Sequence, residues 1–245
     1  MTSPVQQYLA MAVTALQDAA DAQLVAIETA AGWVADAVAA DRLIFVTGSG
    51  HSHMLAEEVF YRAGGLVPVY PILDPALMLH HAAVASTTLE RVEGIAQVRL
   101  ASANVGNGDV LIVASNSGRN AYPVEAALGG RKLGAMVVAL TSLRHAQSVE
   151  SRHSSGKLLH QVADLVIDTG VLPGDAAVKV SGELPPVGAL STVVGAALIN
   201  AVMVGAVDRL SQAGMRPPVF RSANVDSEDR HLDLAAWAAR IPPLR

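Results

Sequence analysis

Residues 43–52 read LIFVTGSGHS, a short apolar run followed directly by a glycine- and serine-rich turn. The first five residues favour a strand that is buried on both faces. Gly48 and Gly50 let the backbone turn sharply, and a helix starting near Ser52 would offer free N–H groups to an anion. The stretch is not a dinucleotide fingerprint, because His53 stands where that motif has its third glycine, and it is not a Walker A loop. The alternative is an ordinary tight turn with Ser52 as the helix N-cap.

A second stretch has the same pattern of an apolar run followed by a polar turn. Residues 110–120 read VLIVASNSGRN, a strand followed by six small, polar or cationic residues and then a predicted helix. Their hydroxyl, amide and backbone N–H groups suit the acceptor oxygens of a phosphate. Ligands of open α/β sheets bind at the carboxyl ends of the strands, so we expect the two turns to form one site. The candidate binding residues in these turns are Ser49, Gly50, Ser52, Ser115, Asn116, Ser117, Gly118, Arg119 and Asn120.

Strand-like and helical stretches alternate along the chain, which predicts a doubly wound, three-layer α/β sandwich with a parallel sheet. The predicted strands are Leu43–Thr47, Leu66–Tyr70, Val110–Ser115, Ala135–Leu140 and Leu165–Asp168. Helices are predicted over Val5–Ala40, with Gly32 as a possible break or kink, and over Ser52–Ala63, Leu89–Ala101 and Ala121–Lys132.

The chain divides into three predicted regions. An N-terminal helical region covers residues 1–40, the ligand-binding α/β domain covers 41–213, and a tail covers 214–245 with a short helix around Leu232–Arg240. Two long connections, Pro71–Ser86 and Gly170–Pro186, are predicted as irregular loops with functional roles.

One segment is long enough to cross a bilayer, because Leu184–Val207 carries no charged residue. It begins with Pro185-Pro186, contains polar residues and lacks an aromatic belt. These features favour a helix buried against the sheet or a partner subunit.

Composition narrows the class of function. Hydrophobic residues make up 51% of the chain and charged residues 16%, which predicts a folded protein with a large core. A net charge of −5 argues against general nucleic-acid binding. The chain has no cysteine, and its first 40 residues lack the pattern of a signal peptide. Both observations favour the cytoplasm.

With these motifs in view, the chain resembles the sugar isomerase (SIS) domain family over roughly residues 35 to 225. The matching elements are the two turns and a later helix that opens with Ser191-Thr192 after Pro185-Pro186. The strings GHSHMLAEEVFYRAGG and SNSGRN resemble an uncharacterised bacterial branch of phosphosugar-binding SIS proteins. The resemblance implies a five-stranded sheet of flavodoxin-like order, a phosphate held by Ser115, Ser117 and Asn120, and a pocket closed by Ser191 and Thr192. It implies no cofactor.

Aldose–ketose isomerisation needs a base beside the sugar carbonyl. The candidates are His51, Glu57, His80 and Glu183. Glu57 and Glu58 are adjacent, so only one of them can face the pocket, and an ion pair with Arg62 is the alternative for either. The sequence departs from the pattern of this branch at His80-His81, because an acidic residue is expected there beside the histidine. The histidines at 51, 53, 80 and 81 are poorly spaced for a metal, and we predict none.

Three functions stay open at this point. The first is a cofactor-free sugar-phosphate isomerase that works through an enediol. The second is a phosphosugar sensor that binds without conversion, and the third is an amino-sugar-phosphate lyase or deaminase. We also predict a homodimer or tetramer that pairs through the apolar segments Ala30–Ala40 and Val187–Val207. The tail residues Ser222, Asn224 and Asp226 are candidates to reach a neighbouring pocket.

Overall fold

A five-stranded parallel sheet forms the centre of the computed structural model, which describes residues 2–222, 224 and 234–245. The strands are β1 (Ile44–Gly48), β2 (Val69–Ile72), β3 (Val110–Ala114), β4 (Met136–Thr141) and β5 (Leu165–Asp168). They lie in the order β2-β1-β3-β4-β5, and every adjacent pair is parallel. This confirms the predicted doubly wound α/β fold and its strand order.

The helices lie on both faces of the sheet. They are α1 (Pro4–Ala39), α2 (Met54–Val59), α3 (Leu79–Leu89), α4 (Ile95–Ser102), α5 (Ala121–Lys132), α6 (Leu143–Ala146), α7 (Ser191–Gln212) and α8 (Leu234–Arg240). Successive strand residues point to opposite faces. Ile44 and Val46 therefore pack with α1, α2 and α7, whereas Phe45, Leu111 and Val113 pack with α4 and α5.

Helix α1 runs unbroken for 36 residues, so the break that we predicted at Gly32 does not occur. Ser3 and Gln6 form a capping box at its start. Its second half lies against α7 at close range: a Cβ added at Gly205 would come within 2.9 Å of the Ala31 Cβ. Residues Ala30–Ala37 are therefore mostly buried inside one chain, and the expectation that this part of α1 forms a subunit face is wrong.

The chain between β1 and β3 departs from the prediction in three places. The expected helix Ser52–Ala63 is a 3₁₀ turn over Gly50–His53 followed by α2, which ends at Phe60 where the backbone becomes extended. The loop Pro71–Ser86 contains most of α3, so His80 and His81 lie on a helix. The predicted helix Leu89–Ala101 is interrupted before α4 at Gly94, whose φ of +97° is left-handed.

The second long connection is also partly ordered. It contains β6 (Ala176–Val178), which pairs in antiparallel fashion with β7 (Val187–Ala189). This ribbon rests on the start of α1, where the Tyr8 hydroxyl donates to the Ala189 carbonyl at 2.9 Å. The turn between the two strands is exposed.

Helix α7 is the one helix among the described residues that is long and apolar enough to cross a membrane. In this fold it packs along α1, and Leu198, Val202 and Ala206 are buried in the core between the helices and the sheet. Its position agrees with the predicted buried helix.

The tail returns to the body of the domain. Phe220 exchanges backbone hydrogen bonds with Gly64 and Gly65, and Ile241 is buried beside the α4–α5 layer. Helix α8 is described from Leu234, so the predicted residues 232 and 233, like Asp226, lie outside the described part of the chain. Ser222 is half-buried and Asn224 exposed.

Candidate functional site

The two predicted turns meet at one edge of the sheet. They follow the adjacent strands β1 and β3, whose last residues, Gly48 and Ala114, are register partners. The turns border a cleft. Its lining residues are His51, Ser52, Leu55, Ser115, Asn116, Leu140, Thr169, Ser191 and Thr192. Three sequence segments that were predicted to share a site therefore line the same cleft.

The second turn, Ser115–Asn120, presents donors from its backbone. Gly118 adopts a φ of +60°, and a Cβ there would lie 3.0 Å from the Leu159 Cβ. Its own N–H donates to the Ser115 hydroxyl oxygen at 3.2 Å. Within the described chain, the N–H groups of the other four residues that follow Ser115 have no acceptor, and these are Asn116, Ser117, Arg119 and Asn120. A turn with several unpaired N–H groups is an anion-binding concavity.

The side chains of the same turn face in different directions. Ser115 and Asn116 line the cleft, and Ser117 is half-buried. The Arg119 Nε donates to the Glu150 carbonyl at 2.9 Å, outside the cleft. Asn120 is 7% exposed, and its amide is held by two charged groups: it donates to Glu90 at 2.7 Å and accepts from Arg152 at 3.0 Å.

Glu90, which the sequence analysis missed, joins the two turns. It follows α3, and its carboxylate accepts a hydrogen bond from the Ser49 hydroxyl at 2.7 Å and another from the Asn120 amide at 2.7 Å. Ser49 is 8% exposed and is held by Glu90 outside the cleft lining. One carboxylate therefore fixes the spacing between the turns.

Replacing Glu90 with alanine is expected to loosen both turns. Hydrogen bonds to a charged group contribute about 1.5–3 kcal/mol each, and buried donors left without acceptors add a penalty. We expect the free energy of unfolding to fall by about 2–4 kcal/mol in a urea titration. Glu28 is exposed on α1, so E28A serves as the control and is expected to leave the titration unchanged. An unchanged E90A titration would show that the two turns hold their positions without this carboxylate.

The cleft contains buried polar atoms without partners. In the described part of the chain, Asn116 Oδ1 and Thr169 Oγ1 are buried and make no hydrogen bond. The Asn116 Nδ2 lies 3.3 Å from the His145 Nδ1. Burial lowers the pKa of His145, the charge of Arg119 lowers it further, and Asp175 opposes both effects. A neutral imidazole can accept the proton of the Asn116 amide, which leaves Oδ1 as the unpaired atom.

The first turn contributes His51 and Ser52 to the cleft. Gly50 has a φ of +56°, a conformation that glycine adopts without strain. Ser52 lies inside the 3₁₀ turn and makes no capping bond, so the simple N-cap alternative does not describe it. His53 is buried and braces the turn through a contact between its Nδ1 and the Gly50 carbonyl.

The catalytic candidates lie in three different places. Among the four, His51 alone lines the cleft. Glu57 and His80 lie beside His53: the Glu57 carboxylate is 3.7 Å from the His53 Nε2, and the His80 and His53 rings are 6.0 Å apart. Glu183 lies in the exposed turn of the β6–β7 ribbon, outside the cleft of its own chain.

The ion pair expected of Glu57 or Glu58 is made by Glu58. Its carboxylate contacts the Arg62 guanidinium and accepts a hydrogen bond from the Asn200 amide at 2.8 Å. Glu58 therefore ties α2 to α7, and Glu57 keeps a half-exposed carboxylate.

Helix α7 begins at the cleft with Ser191 and Thr192. Asp175 caps it: the carboxylate accepts from the N–H groups of Leu190 and Ser191, at 3.0 and 2.8 Å, and from the Ser191 hydroxyl at 2.5 Å. A carboxylate at a helix start is stabilised by the helix dipole. Asp175 thereby holds Ser191 at the cleft wall, opposite the two turns.

Comparison with known proteins identifies the family. A family model described as the SIS domain matches residues 7–142, more than half of the chain. The chain belongs to the SIS domain family. The match begins inside α1 and includes both turns, which confirms the resemblance drawn from the motifs.

This SIS domain protein has bacterial relatives that match nearly its whole length. UPF0309 protein BH3325 of Halalkalibacterium halodurans is 44% identical over 95% of this chain and 96% of its own. UPF0309 protein lin2794 of Listeria innocua is 40% identical over 93% of this chain and 92% of its own.

Two solved structures share the fold at low identity. A phosphoheptose isomerase from Francisella tularensis superposes with a TM-score of 0.53 at 18% identity, over 86% of this chain and all of that chain. The NanR protein of Vibrio vulnificus, complexed with ManNAc-6P, superposes with a TM-score of 0.52 at 20% identity, over 87% of this chain and 66% of its own. These likenesses show the fold of the SIS domain protein.

Proposed function

We propose that this SIS domain protein binds a phosphorylated sugar, with the phosphate on the Ser115–Asn120 turn and the sugar in the cleft. The observation that carries the proposal is the set of unpaired N–H groups at the end of β3, beside a cleft with buried, unpartnered oxygens. Backbone N–H groups suit phosphate oxygens, and unpaired side-chain oxygens suit sugar hydroxyls. Thr192 and Ser52 supply further hydroxyls.

The charge near the turn supports an anionic ligand. Burial lowers the pKa of Arg152, and the positive charges of Arg119 and Arg91 lower it further. The positive charges of Arg91 and Arg119 are therefore close enough to repel that of Arg152, and the carboxylate of Glu90 partly offsets this repulsion. A local cationic field attracts a phosphate even in a protein whose net charge is −5.

The reaction we propose is cofactor-free aldose–ketose isomerisation. His51 lies at the cleft and would move the proton between the two carbons through an enediol. Glu57 and His80 are the second candidates for this base, and Glu183 would act only on the cleft of a second chain. The fold that the protein shares with a phosphoheptose isomerase supports this class of chemistry.

The second candidate function is a phosphosugar sensor. One observation favours it: among the described residues of a single chain, no carboxylate lines the cleft. The NanR protein, which shares the fold, is complexed with a sugar phosphate. A lyase or deaminase acting on an amino-sugar phosphate would use the same cleft and base.

Incubation with a panel of pentose and hexose phosphates in deuterated water distinguishes these functions. Deuterium appearing at the carbon beside the carbonyl is the result expected for an isomerase. Thermal stabilisation without exchange would assign a sensor, because a ligand that binds the folded state raises its melting temperature. If no sugar phosphate in the panel stabilises the protein, the proposed binding is wrong.

We further propose that the protein is a cytoplasmic homodimer or tetramer. The first half of α1 exposes an apolar face that includes Val5, Leu9 and Val13, and α7 exposes Val204. Such faces suit a second copy, which would bring its Glu183 turn and its tail near a neighbouring cleft. Light scattering tests the assembly, and a strict monomer at all concentrations would exclude it.

A further inference from the structure

Three potential metal ligands meet on the α4–α5 side of the protein, away from the cleft. They are Glu93 before α4, Glu125 in α5 and His153 in the loop after α6. One oxygen from each carboxylate and one imidazole nitrogen lie within 4.8 Å of one another. The three residues border an open hollow of about 990 Å³.

Glu125 is a buried carboxylate without a basic partner. It is 5% exposed, and it accepts hydrogen bonds from the Gly94 N–H at 2.8 Å and the Gln97 amide at 3.4 Å. Among the described residues, neither Glu125 nor Glu93 forms an ion pair with lysine or arginine. A buried charge of this kind is costly unless a cation or a metal compensates it.

His153 points an unpaired nitrogen at this pair. Its side chain is 9% exposed, and its Nε2 lies 4.0 Å from Glu93 with no hydrogen-bond partner in the described chain. Its Nδ1 lies 2.7 Å from the Ser155 hydroxyl oxygen and accepts a hydrogen bond from the Ser155 backbone N–H at 3.1 Å. Nε2 can bind a metal once its proton moves to Nδ1, where the Ser155 hydroxyl oxygen can accept it, and such a bond commonly orients histidine ligands.

Glu93 is prepared to act as an anionic ligand. Its carboxylate accepts hydrogen bonds from the Ser154 N–H at 2.6 Å and hydroxyl at 2.9 Å. These bonds hold the carboxylate in one orientation beside Glu125 and His153.

We propose that Glu93, Glu125 and His153 bind a divalent transition metal, Zn²⁺ or Mn²⁺, through two carboxylate oxygens and one imidazole nitrogen. Two atoms bound to one tetrahedral zinc ion at about 2.1 Å lie about 3.4 Å apart. Ligand atoms that are now up to 4.8 Å apart would therefore have to move closer together by up to about 1.4 Å. Three protein ligands leave a coordination position open toward the hollow. The site ties α5 to the segments on either side of it, and it is independent of the proposed sugar-phosphate cleft.

Titration of the full chain, dialysed first against EDTA, tests the site. Calorimetry with Zn²⁺ and with Mn²⁺ is expected to show one ion bound per chain, with a Kd below about 10 µM for Zn²⁺. The melting temperature is expected to rise with the metal. E93Q and H153Q are each expected to weaken binding by at least about tenfold. Glu93 is exposed, so E93Q removes a ligand without disturbing the core, and circular dichroism checks both folds.

The control variant is H53Q, because His53, Glu57 and His80 form the other histidine-containing cluster. It is expected to bind zinc as the wild type does. The proposal is overturned if neither metal binds saturably below about 100 µM. It is equally overturned if H53Q abolishes binding while H153Q and E93Q keep it.

Discussion

Replacing His51 with glutamine is expected to lower the rate of deuterium exchange into the sugar phosphate by about 10²–10⁴-fold. His51 is the one titratable side chain, among the described residues, that lines the cleft. Glutamine keeps the polarity and much of the volume but cannot take up a proton near neutral pH. The Kd of the sugar phosphate should stay within about threefold, because the phosphate is held by the other turn.

The matched control is His81→Gln on α3, which replaces another exposed histidine and should leave the exchange rate unchanged. Glu57→Gln and Glu183→Gln in the same assay rank the remaining candidates for the base. If H51Q exchanges deuterium at the wild-type rate and E57Q does not, the base is Glu57, whose carboxylate lies beside His53. If E183Q alone is inactive, the site is completed by a second chain.

Replacing Ser117 with aspartate is expected to weaken sugar-phosphate binding by at least about 100-fold. A carboxylate about 5 Å from a phosphate costs about 3 kcal/mol per pair of unit charges at an effective dielectric constant of 20. Ser117 is half-buried at the turn, so the new side chain has room while its charge stays near the unpaired N–H groups. Calorimetry with the best ligand of the panel measures the change.

Ser102 at the end of α4 is exposed, so S102D adds the same charge elsewhere and should leave the Kd unchanged. Circular dichroism confirms that both variants are folded. Wild-type affinity in S117D would place the phosphate away from this turn.

The sheet was predictable because its strands are continuous apolar runs that parallel strands need when helices cover both faces. The proximity of the two turns was predictable for a related reason, since the carboxyl ends of parallel strands share an edge. The same rule points to Thr169, a polar residue directly after β5 that lines the cleft but is not among the predicted site residues.

Other parts of the site depend on contacts that the linear sequence does not show. Glu90 is 41 residues from Ser49 and 30 from Asn120, and no local pattern links it to either. His145 is an isolated histidine that becomes relevant only through Asn116. Helix α3 was missed because it is short, begins after two prolines and has a non-helical residue, Ala82, near its start.

The most direct test of the central claim is a crystal structure of the protein soaked with a sugar phosphate from the panel. We predict phosphate oxygens within hydrogen-bond distance of the backbone N–H groups of residues 116–120, with the sugar extending toward His51 and Thr192. A phosphate bound at another surface, or a cleft that stays free of ligand at concentrations that stabilise the protein, would contradict the account.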